Sequence, residues 1–359
     1  MSLHSEISPS SAHTWAVLGG CTGSVHMLRG LPNDDSSSSS EGTAAHELAQ
    51  VLFENNRGLN VDTRSVIGRR LSNGHVVDME MLAYVIGYME SLRNVVSDNL
   101  TTYNLEVGLK GEWIHPQLFG TVDFVAFNFT DKKLFIRDLK YGFGDVPAFE
   151  NPQLIIYALM SLDYAFETAE LSIYQPRSFG SPALKTWTIT RAQLMTYVEQ
   201  IKSAAYESLS EKALVRSGSH CRYCPAKLFC KANLQSALNA VDAEYSASTD
   251  RVSEESIGDQ IKLFTRAKQA LDHRLTGLLE QAVNTLKSGK PVKGYTLTPS
   301  YGNRAWNIDE EELEIVSNML GEEHGLFEKK PITPAAAERL GVRADVIDHF
   351  TSRKSSLKL

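Results

Sequence analysis

The sequence predicts an α/β fold, a mixed sheet between layers of helices, and three observations carry that expectation. Segments rich in β-branched and aromatic residues, at Tyr103–Lys110, Gly120–Phe129 and Lys133–Leu139, read as strands separated by turn residues. Two stretches with helical spacing of apolar residues precede them. Helical and strand patterns then alternate, giving the order helix–helix–strands–helix–strands–helix expected of a layered α/β domain.

Taken in order, LPNDDSSSSS at residues 31–40 is a polar tract expected to form a loop. After Glu41, residues Ala45, Leu48, Ala49 and Leu52 fall on one helical face. A second helix is expected near Val77–Val96, with Met79, Leu82, Ile86 and Met89 on one side. Asn151-Pro152 opens a helix reaching about Phe166, because proline suits a first turn. Strands follow at Leu171–Gln175 and Leu184–Ile189, then a helix over Arg191–Val215. The apolar stripe of Glu254–Leu286 predicts a long helix whose apolar face packs on the main domain, with a coiled-coil seam as the alternative. The remainder, 292–359, reads as a hairpin followed by short helices. In YTLTPSYGNRAW, the aromatics Tyr295, Tyr301 and Trp306 beside Arg304 are expected to pack in that hairpin rather than stack on bases. Two domains are expected, 1–235 and 236–359.

Composition narrows the function classes. The 359 residues carry 36 Lys+Arg against 43 Asp+Glu, a formal charge of −7, which argues against a general nucleic-acid coat but leaves room for a local basic groove. No apolar run reaches the roughly 20 residues that span a bilayer, so no membrane partner is expected. The first residues lack the basic start and apolar core of a secretory signal, so a cytoplasmic protein is expected. Four cysteines are too few for a disulfide scaffold.

Those four cysteines read better as one ligand set. Cys221, Cys224 and Cys230 lie in HCRYCPAKLFC, and Cys21 lies 200 residues before Cys221. Four thiolates suit a [4Fe–4S] cluster or a zinc ion. Structural zinc usually takes two close pairs, so the three-plus-one division favours the cluster over zinc; unrelated cysteines are the remaining alternative. Lys212, Arg216, Arg222, Lys227 and Lys231 surround the run with no acid among them, and could offset an anionic cluster or meet phosphates.

The sharpest chemical pattern lies in the strands. Asp123 stands in GTVDF, and fifteen residues later DLK carries Asp138 and Lys140 on one strand face. If neighbouring strands bring Asp123 beside them, two carboxylates need a divalent cation to sit together, and hard oxygen ligands suit Mg²⁺ or Mn²⁺. Gln153 and Tyr157, at i and i+4, share a face of the next helix. His46, in EGTAAHE, is a candidate third ligand. A surface ion pair of Asp138 with Lys140 is the alternative, opposed by the apolar Leu134, Phe135 and Ile136 before it.

These residues resemble the PD-(D/E)XK nuclease superfamily, and within it the RecB-like exonuclease branch. Gly42–His46, Gly120–Asp123, Asp138–Lys140 and Gln153–Tyr157 stand in the order of that branch's four motifs. Its iron–sulfur members, such as AddB-type and CRISPR-associated RecB-like nucleases, carry one cysteine before the core and a C-x2-C-x5-C run after it, as this chain does. SPSSAHTW, EGTAAHELA, DLKYG and QPRS are also similar to a phage-associated group of RecB-like proteins.

The resemblance covers about residues 8–235 and implies a restriction-endonuclease-like core. It implies His46, Asp123, Asp138 and the Leu139 carbonyl as metal ligands, Lys140 as the catalytic lysine, and Gln153 and Tyr157 as orienting or backbone-contacting residues. Glu47 competes with His46, and Glu41 supports the site from outside. Cys21, Cys221, Cys224 and Cys230 would hold the cluster as a structural staple. The implied activity is a metal-dependent DNA exonuclease in phage recombination or processing, in the bacterial host cytoplasm, with DNA as substrate and a strand-annealing recombinase as possible partner. The alternative is a catalytically silent fold that grips DNA ends or a partner protein.

Overall fold

The computed structural model describes residues 5–31, 37–56, 66–96, 100–178, 180–245, 254–301, 305–306, 310–320, 326, 333–339, 341–352 and 355–358. Two compact units divide the chain, Met1–Arg274 and Leu275–Leu359.

In the first unit, five strands form one sheet: β1 (Thr101–Lys110), β2 (Phe119–Asn128), β3 (Lys133–Leu139), β4 (Thr168–Tyr174) and β5 (Leu184–Thr190). They lie side by side in chain order, antiparallel except for β3 and β4, which run parallel. A parallel pair needs a crossover, and α5 (Pro152–Met160) supplies it. Asn151 starts α5 by accepting hydrogen bonds from the Gln153 and Leu154 amides, with Pro152 in the first turn.

Helices cover both faces. On one side α1 (Ala12–Trp15), α2 (Ser24–Leu28), α5, α6 (Arg191–Met195) and α7 (Val198–Leu209) share a core with Val125, Leu134 and Ile136 of the sheet. On the other, α3 (Ser37–Asn56) and α4 (Met79–Arg93) bury Leu48, Leu52, Met81, Val85 and Met89 against Phe124, Ala126 and Leu139. Asp78 caps α4 by accepting from the Met81 amide.

Several expectations change. Residues 37–40 of the serine tract are the first turn of α3, while 32–36 lie outside the described residues. Helix α5 stops at Met160, six residues short of Phe166. The expected helix over 191–215 divides: Thr190 and Gln193 form a capping box for α6, and α7 restarts at Val198 and ends at Leu209. The stretch 210–216 instead crosses to the N-terminal segment. There Gly23 donates to the Leu214 carbonyl at 2.9 Å, Leu214 donates to Thr22 Oγ1 at 3.0 Å, and His26 Nε2 meets the Ser210 carbonyl at 2.9 Å.

Helices α8 (Lys231–Tyr245) and α9 (Glu254–Lys287) follow, and the division between units falls within α9. The apolar stripe of α9 is not the face it buries. Ala267, Ala270 and His273 are buried, whereas Ile257, Ile261, Phe264, Leu271, Leu275 and Leu278 are exposed. Small residues permit the close approach, seen where Asn233 Nδ2 donates to the Ala270 carbonyl at 3.2 Å.

In the second unit, β6 (Thr298–Tyr301) pairs with β9 (Ser355–Lys358), and β7 (Ala305–Trp306) with β8 (Thr351–Ser352). The expected hairpin is therefore replaced by pairing with the C-terminal strands. Between them α10 (Glu310–Leu320), α11 (Pro334–Arg339) and α12 (Ala344–His349) supply a small core of Leu313, Val316, Ala337 and Ile347. Arg304 and the side chains of Tyr301 and Trp306 lie outside the described residues. No helix among the described residues is long and apolar enough to cross a membrane.

Candidate metal centre at the end of the central strand

Asp138 and Lys140 project from the same side at the end of β3, as alternation requires. Because α5 begins beside that end, its first turn aims Gln153 back at both. Gln153 Nε2 donates to Asp138 Oδ1 at 2.6 Å, and Lys140 Nζ donates to Gln153 Oε1 at 2.9 Å. The triangle closes with Lys140 Nζ 2.9 Å from Asp138 Oδ2, an ion pair lying off the hydrogen-bonding direction, so that buried oxygen keeps unspent acceptor capacity. Burial works against charge on Lys140, but the carboxylates of Asp138 and Asp123 outweigh it and raise its pKa, so the side chain stays an ammonium.

Beside this triangle lies a compact donor trio of His46 from α3, Glu106 from β1 and Asp123 from β2, placed closely enough to share one metal ion. His46 Nδ1 is 3.2 Å from Glu106 Oε1 and 3.6 Å from Asp123 Oδ2. The Leu139 amide donates to Asp123 Oδ2 at 2.6 Å and fixes its direction. Burial alone would depress the imidazole of His46, but Asp123 and Glu106 reverse the sign and lift it to about 9. Burial pushes Asp123 the other way for a carboxyl, upward, opposed by His46 and reinforced by Asp138 and Glu106. Three carboxylates thus crowd two cationic side chains, an excess that a divalent cation would relieve. The imidazole nitrogen and carboxylate oxygens match the donor preferences of Mn²⁺ or Mg²⁺, with nitrogen favouring the former.

Among the residues anticipated from sequence, His46 and Asp123 meet directly, while Asp138 faces Lys140 and Gln153 at the edge of the trio. Leu139 contributes its amide to Asp123. Tyr157 reaches across from α5, and its hydroxyl donates to the Thr121 carbonyl, tying α5 to the strand that carries Asp123. Glu47 points elsewhere and binds the Ser72 backbone amide at 3.0 Å. Glu41 pairs with Arg177 Nη1 at 2.6 Å, and that guanidinium stacks over Tyr141 and Phe143, just beyond Lys140.

Sequence reasoning missed Glu106. In TTYNLEVGLK the odd positions are apolar, so Glu106 reads as an ordinary residue on a solvated strand face. The ladder pairs Leu105 with Phe124 and Val107 with Val122, leaving Glu106 opposite Asp123 without a regular pair. Glu106 sits there at φ 46°, in the left-handed region, a conformation costing on the order of 1 kcal/mol or more for a residue with a Cβ.

The cysteines gather by the crossing of residues 210–216 over the N-terminal segment. Cys21 Sγ accepts from the Arg216 amide and Cys221 Sγ from the Gly218 amide, each at 3.4 Å. Burial first, and then the neighbouring thiols of Cys221, Cys21 and Cys230, push Cys224 up to about 11. All four thiols therefore lie within electrostatic reach of one another. Among the described residues the compact donor group is the trio of His46, Glu106 and Asp123, and the four thiols do not form a second one.

A family model described as "Protein of unknown function (DUF2800)" matches residues 4–353. The chain belongs to the DUF2800 family. This DUF2800 chain is also similar to the solved structure described as "Crystal structure of SSO0001", at 14% identity over 58% of this chain and 92% of that one, with a TM-score of 0.26.

Proposed function

We propose that this DUF2800 protein is a metal-dependent deoxyribonuclease with a PD-(D/E)XK core of the RecB-like exonuclease type. The observation that carries the reading is the convergence of the donor trio with a half-buried ammonium, Lys140, paired with Asp138 and Gln153 at one strand end. A divalent ion bound by His46, Glu106 and Asp123, with Asp138 at its edge, would lower the pKa of a water and offset charge on a phosphoryl oxygen.

The chain's own residues then have defined tasks. Lys140 is protonated and so acts as an electrostatic partner for charge developing on the scissile phosphate. Gln153 bridges that ammonium and Asp138, accepting from one and donating to the other. Asp123, fixed by the Leu139 amide, and Glu106 hold His46 in place. The four cysteines would carry a [4Fe–4S] cluster that staples the N-terminal segment to residues 216–230, in a structural role. Recombination or processing of phage DNA, with a strand-annealing partner, extends the same resemblance.

The test is degradation of end-labelled linear DNA by anaerobically purified protein, with Mg²⁺, Mn²⁺ or EDTA, beside Lys140→Ala. Metal-dependent cleavage that vanishes in the variant supports the reading. Failure of brown, folded wild-type protein to cut any DNA form overturns it in favour of a silent DNA-end or partner-binding protein.

A further inference from the structure

The first unit holds an open pocket of about 770 Å³ between the segment 17–19, the cysteine-bearing turn, α8 and α9, away from the donor trio. We infer that this pocket is a second nucleic-acid contact, one that grips the phosphodiester backbone of the substrate with Arg216 and Arg266. This rests on the nuclease reading and adds an anchoring site to it.

The lining chemistry selects the ligand. Arg216 and Arg266 come from separate elements, and Ser219, Gln235, Asn239 and Gln269 add neutral donors, with no carboxylate among the described residues of the wall. In a chain of net charge −7, an acid-free pocket with two guanidiniums is a local reversal of sign. Arg266 makes no hydrogen bond or ion pair among the described residues and is exposed. Arg216 is anchored from behind, with Nη1 on the Gly20 carbonyl at 3.1 Å and 3.8 Å from Glu207. One fixed and one adaptable guanidinium, amid hydroxyl and amide donors, is a set suited to backbone phosphates rather than to apolar ligands or cations.

The N-terminal segment connects the pocket wall to the sheet along the chain. Residues Pro9–Ser11, a single 3₁₀ turn, press on Gly120 of β2, where Pro9 would be 2.7 Å from an added Cβ. The same segment continues through α1 to Val17, Leu18 and Gly19 in the pocket wall. One short helix of chain thus links the strand that carries Asp123 to the pocket wall.

The experiment measures binding of labelled oligonucleotides to the full chain in EDTA, across a salt series, for wild type, Arg266→Ala, Arg266→Glu and Gln235→Glu. Cleavage by each is measured in parallel with Mn²⁺. The expected result is about 3- to 10-fold weaker binding for Arg266→Ala, with the log–log salt slope reduced by roughly one, and a larger loss for both acidic variants. Unchanged binding and slope in Arg266→Glu, with wild-type protein still cutting DNA, overturns the pocket and leaves the nuclease reading standing. Wild-type protein that neither binds nor cuts DNA overturns both. Thermal stabilisation by thymidine monophosphate that Arg266→Glu abolishes, without any change in oligonucleotide binding, also overturns the backbone contact and makes the pocket a mononucleotide site.

Discussion

Gln153 donates from its side-chain amide to Asp138 at 2.6 Å, joining the first turn of α5 to the end of β3. The same amide accepts from Lys140, so one neutral side chain bridges both members of a partly buried ion pair.

Replacing Gln153 by Leu therefore leaves charged groups short of partners. The expected cost is about 1–3 kcal/mol of stability, read as a lower urea midpoint. DNA cleavage is expected to fall up to about 100-fold, because Lys140 is no longer held in position. Wild-type activity in a destabilised Gln153→Leu protein would reduce the residue to packing.

Glu106 makes a sharper test, since its backbone and its carboxylate pull in opposite directions. Glycine is at ease at φ 46°, so Glu106→Gly should leave the metal-free protein as stable as wild type or about 1 kcal/mol more so. Its Mn²⁺ affinity, followed by calorimetry, should drop at least about tenfold. A stability loss with intact Mn²⁺ binding would remove Glu106 from the ligand set.

Gly120 is needed for space. A methyl group there would come 2.7 Å from Pro9 Cδ and 3.2 Å from Pro9 Cγ, atoms of a stiff ring. Gly120→Ala is expected to lose about 1–3 kcal/mol in thermal or urea unfolding, because the N-terminal turn must move off β2. Pro9→Ala in the same chain should recover part of that loss, and no recovery would place the strain elsewhere.

Cys230→Ala should lower soluble yield and bleach the visible iron–sulfur absorption, because one lost ligand labilises the set. Full yield with unchanged iron content would take Cys230 out of it.

Most of the first unit was legible, α3, α4 and α7 from one buried face each and β2 to β4 from apolar, β-branched runs buried on both faces. Asp138 and Lys140 stood out because charges after the apolar Leu134–Ile136 demand partners, Gln153 because it shares a helix face with Tyr157, and His46 and Asp123 because they fall in the motif order of the resemblance. Glu106 was hidden because alternation assigns it to solvent, and only the departure of its backbone from strand geometry turns it toward His46. The break after Met195 is local capping by Thr190 and Gln193, which a helical average over 191–215 overlooks. On α9 the error came from equating apolar with buried, although Ala267 and Ala270 allow closer packing than the larger residues of the stripe. In the tail, β6 finds its partner more than fifty residues away, beyond the reach of any local pattern.

The bond from Arg216 to Cys21 spans 195 residues of chain. A ribosome adding about 5–20 residues per second needs roughly 10–40 seconds between making one end of that contact and the other. Throughout that interval Cys21 waits for its partner, although Trp15 meets its own neighbours on the sheet and α5 as soon as those are made. A message cut short before residue 210 would yield a chain whose first helix is already seated on the sheet, while Thr22, Gly23 and His26 still lack the carbonyls and amide that fasten them.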